Sequence, residues 1–340
     1  MVDGLFRTLP ARSYFDADQY ERERREIFGK EWLWFASESE VASSGAFVAR
    51  EYAGWRLMVV RSPDGALRGF HNVCRHRAGP LVDEGSGTCA NLVCQYHGWA
   101  YGFDGRLRSA RDFGVDLDPD EHALSGIRVE VWRGQVFVNL DASAPPLVDD
   151  LRDFFEECGG FAIESMQVVR SAHHDLACNW KTYADNYLEG YHIALIHPLL
   201  NRMYDSKRYE VILGDRYCRH YAPARDGIES PGRWLFRWPN LALNIYGDSM
   251  NIELIVPTGP RSCRVLYIHL FLDPDGPDGP DGREIERVIC IADEVMEQDR
   301  AMVEVVQRNL ESGVYDDGLL SPQHERGLVQ FQDLVRATWA

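Results

Sequence analysis

Two short segments, Cys74-Arg75-His76 and Cys94-Gln95-Tyr96-His97, each place one thiol and one imidazole at the end of a strand-like run, with seventeen residues between the pairs. To bring four such side chains together, the chain has to form two loops that face one another on a small β framework. Zinc accepts the same ligand types, but zinc fingers usually pair like with like, two cysteines and then two histidines. A two-iron sulfide cluster with two cysteines on one iron and two histidines on the other needs the mixed supply found here. Both metals stay open on ligand type, and the pairing favours iron. His71, just ahead of Asn72-Val73, reads as structural, and Cys89, between the pairs, as a free thiol.

The surrounding pattern supplies that framework. From Trp32 to about Asp141 short alternating or apolar runs, among them AFVAREY, RLMVVRS and IRVEVWRGQVFVNL, are separated by turn residues such as Pro63-Asp64-Gly65 and Asp104-Gly105. This predicts a small antiparallel β domain. Ahead of it ADQYERERREIFGKEW reads as a charged helix that stops at Gly29, with Tyr20, Ile27 and Phe28 as its contacts. Ala144-Pro145-Pro146 breaks the pattern, so the expected division is an arm over 1–31, the β domain over 32–145 and a larger domain over 146–340.

The larger part opens with helical and strand material, then a helical segment over 179–198 that carries Asp185, Glu189, His192 and His197. Asp185, Glu189 and His192 fall at i, i+4 and i+7 and share a helix face. His197 would be rotated about 140° from His192 on a regular helix, so both imidazoles reach one ion only if the helix loosens between them. Gly190 and Pro198 favour such a break. The competing reading is two structural histidines on an aromatic core helix. Longer strands follow over 241–257 and 263–272. A Pro-Asp-Gly repeat over 274–282 reads as an exposed connection. A last helix is expected over 283–312, with an apolar stripe of Ile285, Val288, Ala292, Val295, Met296, Met302, Val303, Val306 and Leu310. Asp299 sits inside that stripe, where a carboxylate has to be paired, protonated or bound to metal. The expected fold class is α+β, a small antiparallel β domain plus a larger domain with an antiparallel sheet flanked by helices.

At 340 residues and 45% hydrophobic content the chain can bury a large core. A net charge of −17 argues against nucleic acid or an anionic membrane as the main partner. No apolar run approaches a membrane span, and the first residues lack a continuous apolar stretch, so the expected location is the cytoplasm. Eight cysteines, mostly scattered singly, suit reduced thiols. No G-x-G-x-x-G follows a strand, so no flavin or nicotinamide site is expected.

Taken together, these segments resemble the catalytic α subunit of Rieske non-haem iron oxygenases, the ring-hydroxylating family. The likeness covers nearly the whole chain: Cys74-Arg75-His76-Arg77, Cys94 through Trp99, Asn179-Trp180-Lys181, Asp185-Asn186-Tyr187, Glu189, His192, His197-Pro198 and Gln298-Asp299. It implies a Rieske [2Fe-2S] cluster on Cys74, His76, Cys94 and His97, and a mononuclear Fe(II) on His192, His197 and Asp299 with open positions for O2. It also implies a head-to-tail homotrimer in which Glu189 connects one subunit's cluster to the next subunit's iron. Asn186 would lie beside the iron, or else be an ordinary surface amide. Residues 318–339 resemble members that act without a separate β subunit. Glu189, where many ring dioxygenases carry Asp, resembles the branch that includes carnitine and choline monooxygenases.

The expected reaction is monooxygenation of a small organic molecule, by hydroxylation or oxidative demethylation, with electrons from a separate NAD(P)H-dependent reductase, with or without a ferredoxin. The alternative is cis-dihydroxylation of an aromatic ring. Two other classes compete: a Rieske electron carrier leaves the second domain unexplained, and a zinc-stabilised binding module leaves the mixed ligand pairs unexplained. Trp234, Phe236, Trp238 and Tyr246 are candidates to stack on an aromatic substrate or surround a quaternary ammonium, or else are core.

Overall fold

The computed structural model describes residues 5–228, 230–276 and 279–339. The chain divides into two compact units: Phe28–Asp150 forms one, and the residues before it and after it together form the other.

In the smaller unit every strand pairing is antiparallel. Seven strands, β1 (Leu33–Ser37), β2 (Ala46–Tyr52), β3 (Trp55–Arg61), β4 (Leu67–His71), β5 (Gly85–Thr88), β9 (Gly126–Trp132) and β10 (Gln135–Asn139), make one sheet in the order β1-β10-β9-β4-β3-β2-β5. Three short strands, β6 (Leu92–Val93), β7 (Ala100–Tyr101) and β8 (Leu107–Ser109), make a second. Tyr52 pairs with Trp55 across a two-residue turn in which Ala53 and Gly54 take φ of +48° and +80°. That left-handed pair matches the twist of the flanking strands. Phe47, Met58, Val60 and Phe70 from the large sheet bury against Leu92, Trp99 and Tyr101, and the thiols of Cys74 and Cys94 lie within the same cluster.

In the larger unit an antiparallel sheet is built from β11 (Met166–Leu176), β12 (Glu210–Leu213), β13 (Tyr217–Ala222), β14 (Gly232–Arg237), β15 (Leu241–Tyr246), β16 (Ser249–Gly259) and β17 (Ser262–Leu272), in the order β11-β17-β16-β15-β14-β13-β12. Its helices include α1 (Ala17–Glu23), α2 (Trp180–Tyr187), α3 (Ile193–Ile196), α4 (Pro198–Met203), α5 (Gly282–Leu310) and α6 (Arg326–Ala337). Asp16 caps α1 by accepting from the backbone N–H groups of Asp18 and Gln19. Glu23, at the end of α1, is fully buried and pairs with Lys181 Nζ at 2.8 Å from both carboxylate oxygens, while the Trp180 indole donates to Oε2 at 2.8 Å. Removing either partner would strand a buried charge at a cost of about 3–5 kcal/mol. On α5 the side chains of Ile289, Met296, Asp299, Val303, Gln307 and Leu310 are buried. Met302 and Val306, expected in the apolar stripe, are 42% and 38% exposed instead, because the buried face tracks the seven-residue spacing from Ile289 to Leu310. Of the Pro-Asp-Gly connection, Pro277 and Asp278 lie outside the described residues.

Candidate metal centres and catalytic cavity

The cysteine pairs sit at the heads of two loops closed in the same way. Cys74 N–H donates to Gly79 O at 2.8 Å and Cys94 N–H to Trp99 O at 2.9 Å, and each cysteine carbonyl accepts from the residue four further on, Ala78 or Gly98. Ala78 and Gly98 both take left-handed φ, +57° and +74°. At Gly79 a Cβ would stand 2.8 Å from Cys94 Sγ, so only glycine lets the first loop approach the second thiol. The His76 ring stacks on Trp99 at 4.8 Å and meets the His97 ring edge-on at 4.6 Å. His76 Nδ1 is buried and has no hydrogen-bond partner among the described residues. Partial burial, with His76 and Arg77 nearby, holds the His97 imidazole below its ordinary value and keeps its lone pair available. The Tyr101 hydroxyl lies 3.2 Å from Cys74 Sγ. Two buried thiols, two imidazoles and an unpartnered ring nitrogen fit a [2Fe-2S] group with mixed ligation.

The second centre forms where a helix fails. Asn179 caps α2 by accepting from Lys181 N–H, and Gln307 Oε1 on α5 takes the Asn179 N–H and the Thr182 hydroxyl, both at 3.0 Å, which fixes α2 against α5. The helix ends at Tyr187, ahead of Glu189 and His192, so the single helical face expected for Asp185, Glu189 and His192 does not exist. Gly190 lies against Tyr209, where a Cβ would come within 2.4 Å of the ring. After the break His192 precedes α3, and His197 precedes α4, which Pro198 opens at its first position. This resolves the angular conflict between the two imidazoles.

His192, His197 and Asp299 each bring one ligand atom within 4.8 Å of the others. His192 Nε2 is 3.2 Å from His197 Nε2, and Asp299 Oδ1 is 3.0 Å from His197 Nε2 and 3.8 Å from His192 Nε2. The opposite ring nitrogens are held elsewhere, His192 Nδ1 by Glu189 Oε1 at 2.5 Å and His197 Nδ1 by Gln298 Oε1 at 2.8 Å. These bonds fix the tautomers that turn both Nε2 lone pairs toward the carboxylate. Asn186 Nδ2 donates to Asp299 Oδ1 at 2.8 Å, so it orients the third group. Two imidazoles and one carboxylate on one side of a point form the donor set of a non-haem Fe(II) centre. Asp185 does not join them. It accepts from Tyr14 OH at 2.6 Å and Gln332 Nε2 at 3.0 Å, and burial pushes its carboxyl up to about 7.

A cavity of about 640 Å³ opens beside this group, lined by Tyr187, Tyr204, Tyr209, Trp234 and Tyr246. The Trp234 ring lies 5.4 Å from Tyr204, 5.9 Å from Tyr209 and 6.3 Å from Tyr246, and its indole N–H donates to Tyr246 OH at 2.8 Å. Of the four aromatics singled out in the sequence, Trp234 and Tyr246 line the cavity. Phe236 and Trp238 pack on Phe331 at 5.8 and 5.5 Å. Glu253, not anticipated, lines the cavity from β16, and burial pushes its carboxyl up to about 7. Its signal was available: Ser249, Asn251 and Glu253 put polar groups at every second position of an otherwise apolar strand. Gln298 was legible only as the neighbour of Asp299.

Fold and site together define an oxygenase with a Rieske domain and a non-haem iron domain. Residues 31–115 match the Rieske [2Fe-2S] domain family, and residues 163–228 and 219–340 match the ring hydroxylating alpha subunit catalytic domain. The chain belongs to the ring-hydroxylating alpha subunit family of Rieske non-haem iron oxygenases, oxidoreductases that carry a Rieske cluster and a mononuclear iron. It is 31% identical to the chloroplastic choline monooxygenase of Spinacia oleracea over 97% of this chain and 78% of that protein. It is 30% identical to the carnitine monooxygenase oxygenase subunit of Escherichia coli (strain K12) over 96% of this chain and 92% of that protein. The quaternary ammonium Rieske monooxygenase CntA in complex with L-carnitine superposes with a TM-score of 0.88 at 26% identity, covering 98% of this chain and 96% of that one. Naphthalene 1,2-dioxygenase with indole bound shares the fold, with a TM-score of 0.79 at 19% identity over 98% and 92% of the two chains. Among the described residues no helix is long and apolar enough to cross a membrane.

Proposed function

We propose that this chain is the oxygenase component of a system that monooxygenates a quaternary ammonium compound, by hydroxylation or oxidative demethylation beside the charged nitrogen. The observation that carries this reading is the aromatic wall of Trp234, Tyr204, Tyr209 and Tyr246 next to the two-histidine, one-carboxylate group. Ring faces attract a cation whose methyl groups cannot hydrogen-bond, and the attraction strengthens once water is excluded. The kinship with choline, carnitine and glycine betaine monooxygenases supports it.

In this reading Cys74, His76, Cys94 and His97 hold the cluster, and His192, His197 and Asp299 hold the iron. When bound, the iron offers open positions for O2 and the cluster stores the electron that its activation needs. The chain's own residues orient these groups: Asn186 holds Asp299, Gln298 holds His197 and Glu189 holds His192. The division into 1–31, 32–145 and 146–340 assigns an arm, the cluster domain and the iron domain. Electrons come from a separate NAD(P)H-dependent reductase, directly or through a ferredoxin, and the protein works in the cytoplasm as a head-to-tail homotrimer. Exposed apolar side chains support that assembly. Tyr191 and Leu195, on either side of His192, are 63% and 88% exposed, and Tyr96 and Val115 in the cluster domain are 56% and 67% exposed.

Turnover of choline, glycine betaine and carnitine under labelled O2, with a reductase supplied, tests the reading. One labelled oxygen is expected, either in the hydroxylated product or in the formaldehyde that demethylation releases. A cis-diol with two labels from an aromatic substrate, with no quaternary ammonium consumed, would overturn it.

A further inference from the structure

We infer that Glu253 is the specificity-determining anion of the cavity, the counter-charge that selects a cationic head group over a neutral one of the same shape. The inference rests on the quaternary-ammonium reading and deepens it. Glu253 is 3% exposed and lines the cavity. Its Oε1 accepts from the Tyr183 hydroxyl and its Oε2 from Asn244 Nδ2 at 2.9 Å. Donors on both oxygens favour the carboxylate form and oppose the burial that pushes the group up to about 7.

Among the described residues no cation is paired with it. Tyr183 and Tyr187 face it from α2, Asn244 and Tyr246 from β15, Tyr267 from β17 and Asp299 from α5, and none of these is positively charged. A buried carboxylate without a counter-ion is costly, and a cation that enters the cavity relieves that cost. The other acids along the cavity have different situations. Glu189 is held by His192 and Asp299 by His197 and Asn186, while Asp248 and Glu284 are exposed, as is Arg287. A relay of protons to the metal group fits less well. The hydrogen-bonded chain from Tyr187 OH to Asn244 at 2.7 Å, on to Glu253 and then Tyr183 includes none of His192, His197 and Asp299. The aromatic wall holds a trimethylammonium and a tert-butyl group through similar dispersion contacts and adds a cation–π attraction for the first, to which this carboxylate adds a full counter-charge.

The test compares binding of choline, glycine betaine and carnitine with that of their uncharged tert-butyl isosteres, using the holoenzyme and its Glu253→Gln and Glu253→Asp variants. The wild-type protein should prefer at least one cation by about tenfold or more. In Glu253→Gln that preference should fall about tenfold, toward what the rings alone supply, through weaker cation binding, with affinity for the isostere, iron content and visible spectrum near wild type. Glu253→Asp should keep part of the preference. A wild-type preference retained in Glu253→Gln overturns the assignment alone. A wild-type enzyme that favours none of the cations overturns the quaternary-ammonium reading together with it. If the Gln variant loses iron or its fold, loss of preference in a folded Asp variant also overturns the assignment.

Discussion

Glu189 Oε1 lies 2.5 Å from His192 Nδ1, and the other Glu189 oxygen accepts from the backbone N–H groups of Tyr191 and His192. The carboxylate therefore fixes both the ring and the short loop that carries it, and it does so from a position beyond the end of α2. Glu189→Gln should keep both metal centres while turnover falls about ten- to a hundredfold, because an amide is a weaker acceptor for the ring N–H. Stopped-flow reoxidation of the reduced cluster with O2 and substrate checks this. Native single-turnover rates would leave Glu189 as a loop-fixing residue only.

Gln298 plays the matching part for His197, at 2.8 Å from its Nδ1. Gln298→Ala should weaken iron retention about ten- to a hundredfold without bleaching the cluster. Competition with a chelator, followed by metal analysis, measures it. Unchanged retention would mean that packing alone orients His197.

Tyr101 OH, 3.2 Å from Cys74 Sγ and 3.1 Å from the Arg75 N–H it accepts, is placed to donate to a cluster thiolate. Such a bond stabilises the reduced cluster, so Tyr101→Phe should lower the reduction potential, by on the order of 60 mV for a tenfold one-electron effect. A redox titration followed by visible spectroscopy decides it, and an unchanged midpoint would exclude the bond.

Asp185 predicts a pH dependence of stability. Its Oδ2 accepts from Tyr14 and Gln332, whereas Oδ1 is buried without a hydrogen-bond partner among the described residues, and burial raises the carboxyl from 3.8 to about 7. A raised folded-state value means that the folded protein holds the proton longer than the unfolded chain. The contribution is thus full below about pH 4 and is lost as pH rises toward 7. Across that window the loss amounts to roughly 4 kcal/mol at most. Asp185→Asn should flatten the profile and gain stability at pH 8 relative to wild type in denaturant titrations. A profile as steep as the wild type's would assign the dependence to other groups.

Trp234 tests the aromatic wall. Trp234→Leu should raise KM for the quaternary ammonium substrate about tenfold, the loss of a desolvated cation–π contact, with a smaller change in kcat. An unchanged KM would show that the ring is only packing.

How far the sequence reached follows from what each signal depends on. The cluster loops were legible because their ligands are close in the chain and of unusual types, and the antiparallel strands because alternation and turn residues are local. Asp299 was legible as a charge in an apolar stripe, although Met302 and Val306 show that the stripe was drawn too wide. The helix break after Tyr187 was foreseen only as a need, since it depends on Gly190 packing under Tyr209 from elsewhere in the chain. Asp185 was misplaced for the same reason: its spacing assumed a helix that had already ended. Phe236 and Trp238 could not be told from Trp234 without knowing that Phe331 of α6 covers them. Glu253 was visible as one of three polar residues at alternate positions with Ser249 and Asn251, but its place on a cavity depends on the tertiary structure.

If His192, His197 and Asp299 hold a mononuclear iron apart from the cluster, an iron count of the chain shows it. Metal analysis of the purified wild type and Asp299→Ala, read beside their visible spectra, tests it most directly. About three irons per wild-type chain are expected, and about two in the variant with the cluster spectrum unchanged. A colourless wild type that contains zinc, or a variant that keeps its full iron and turns over normally, would contradict it.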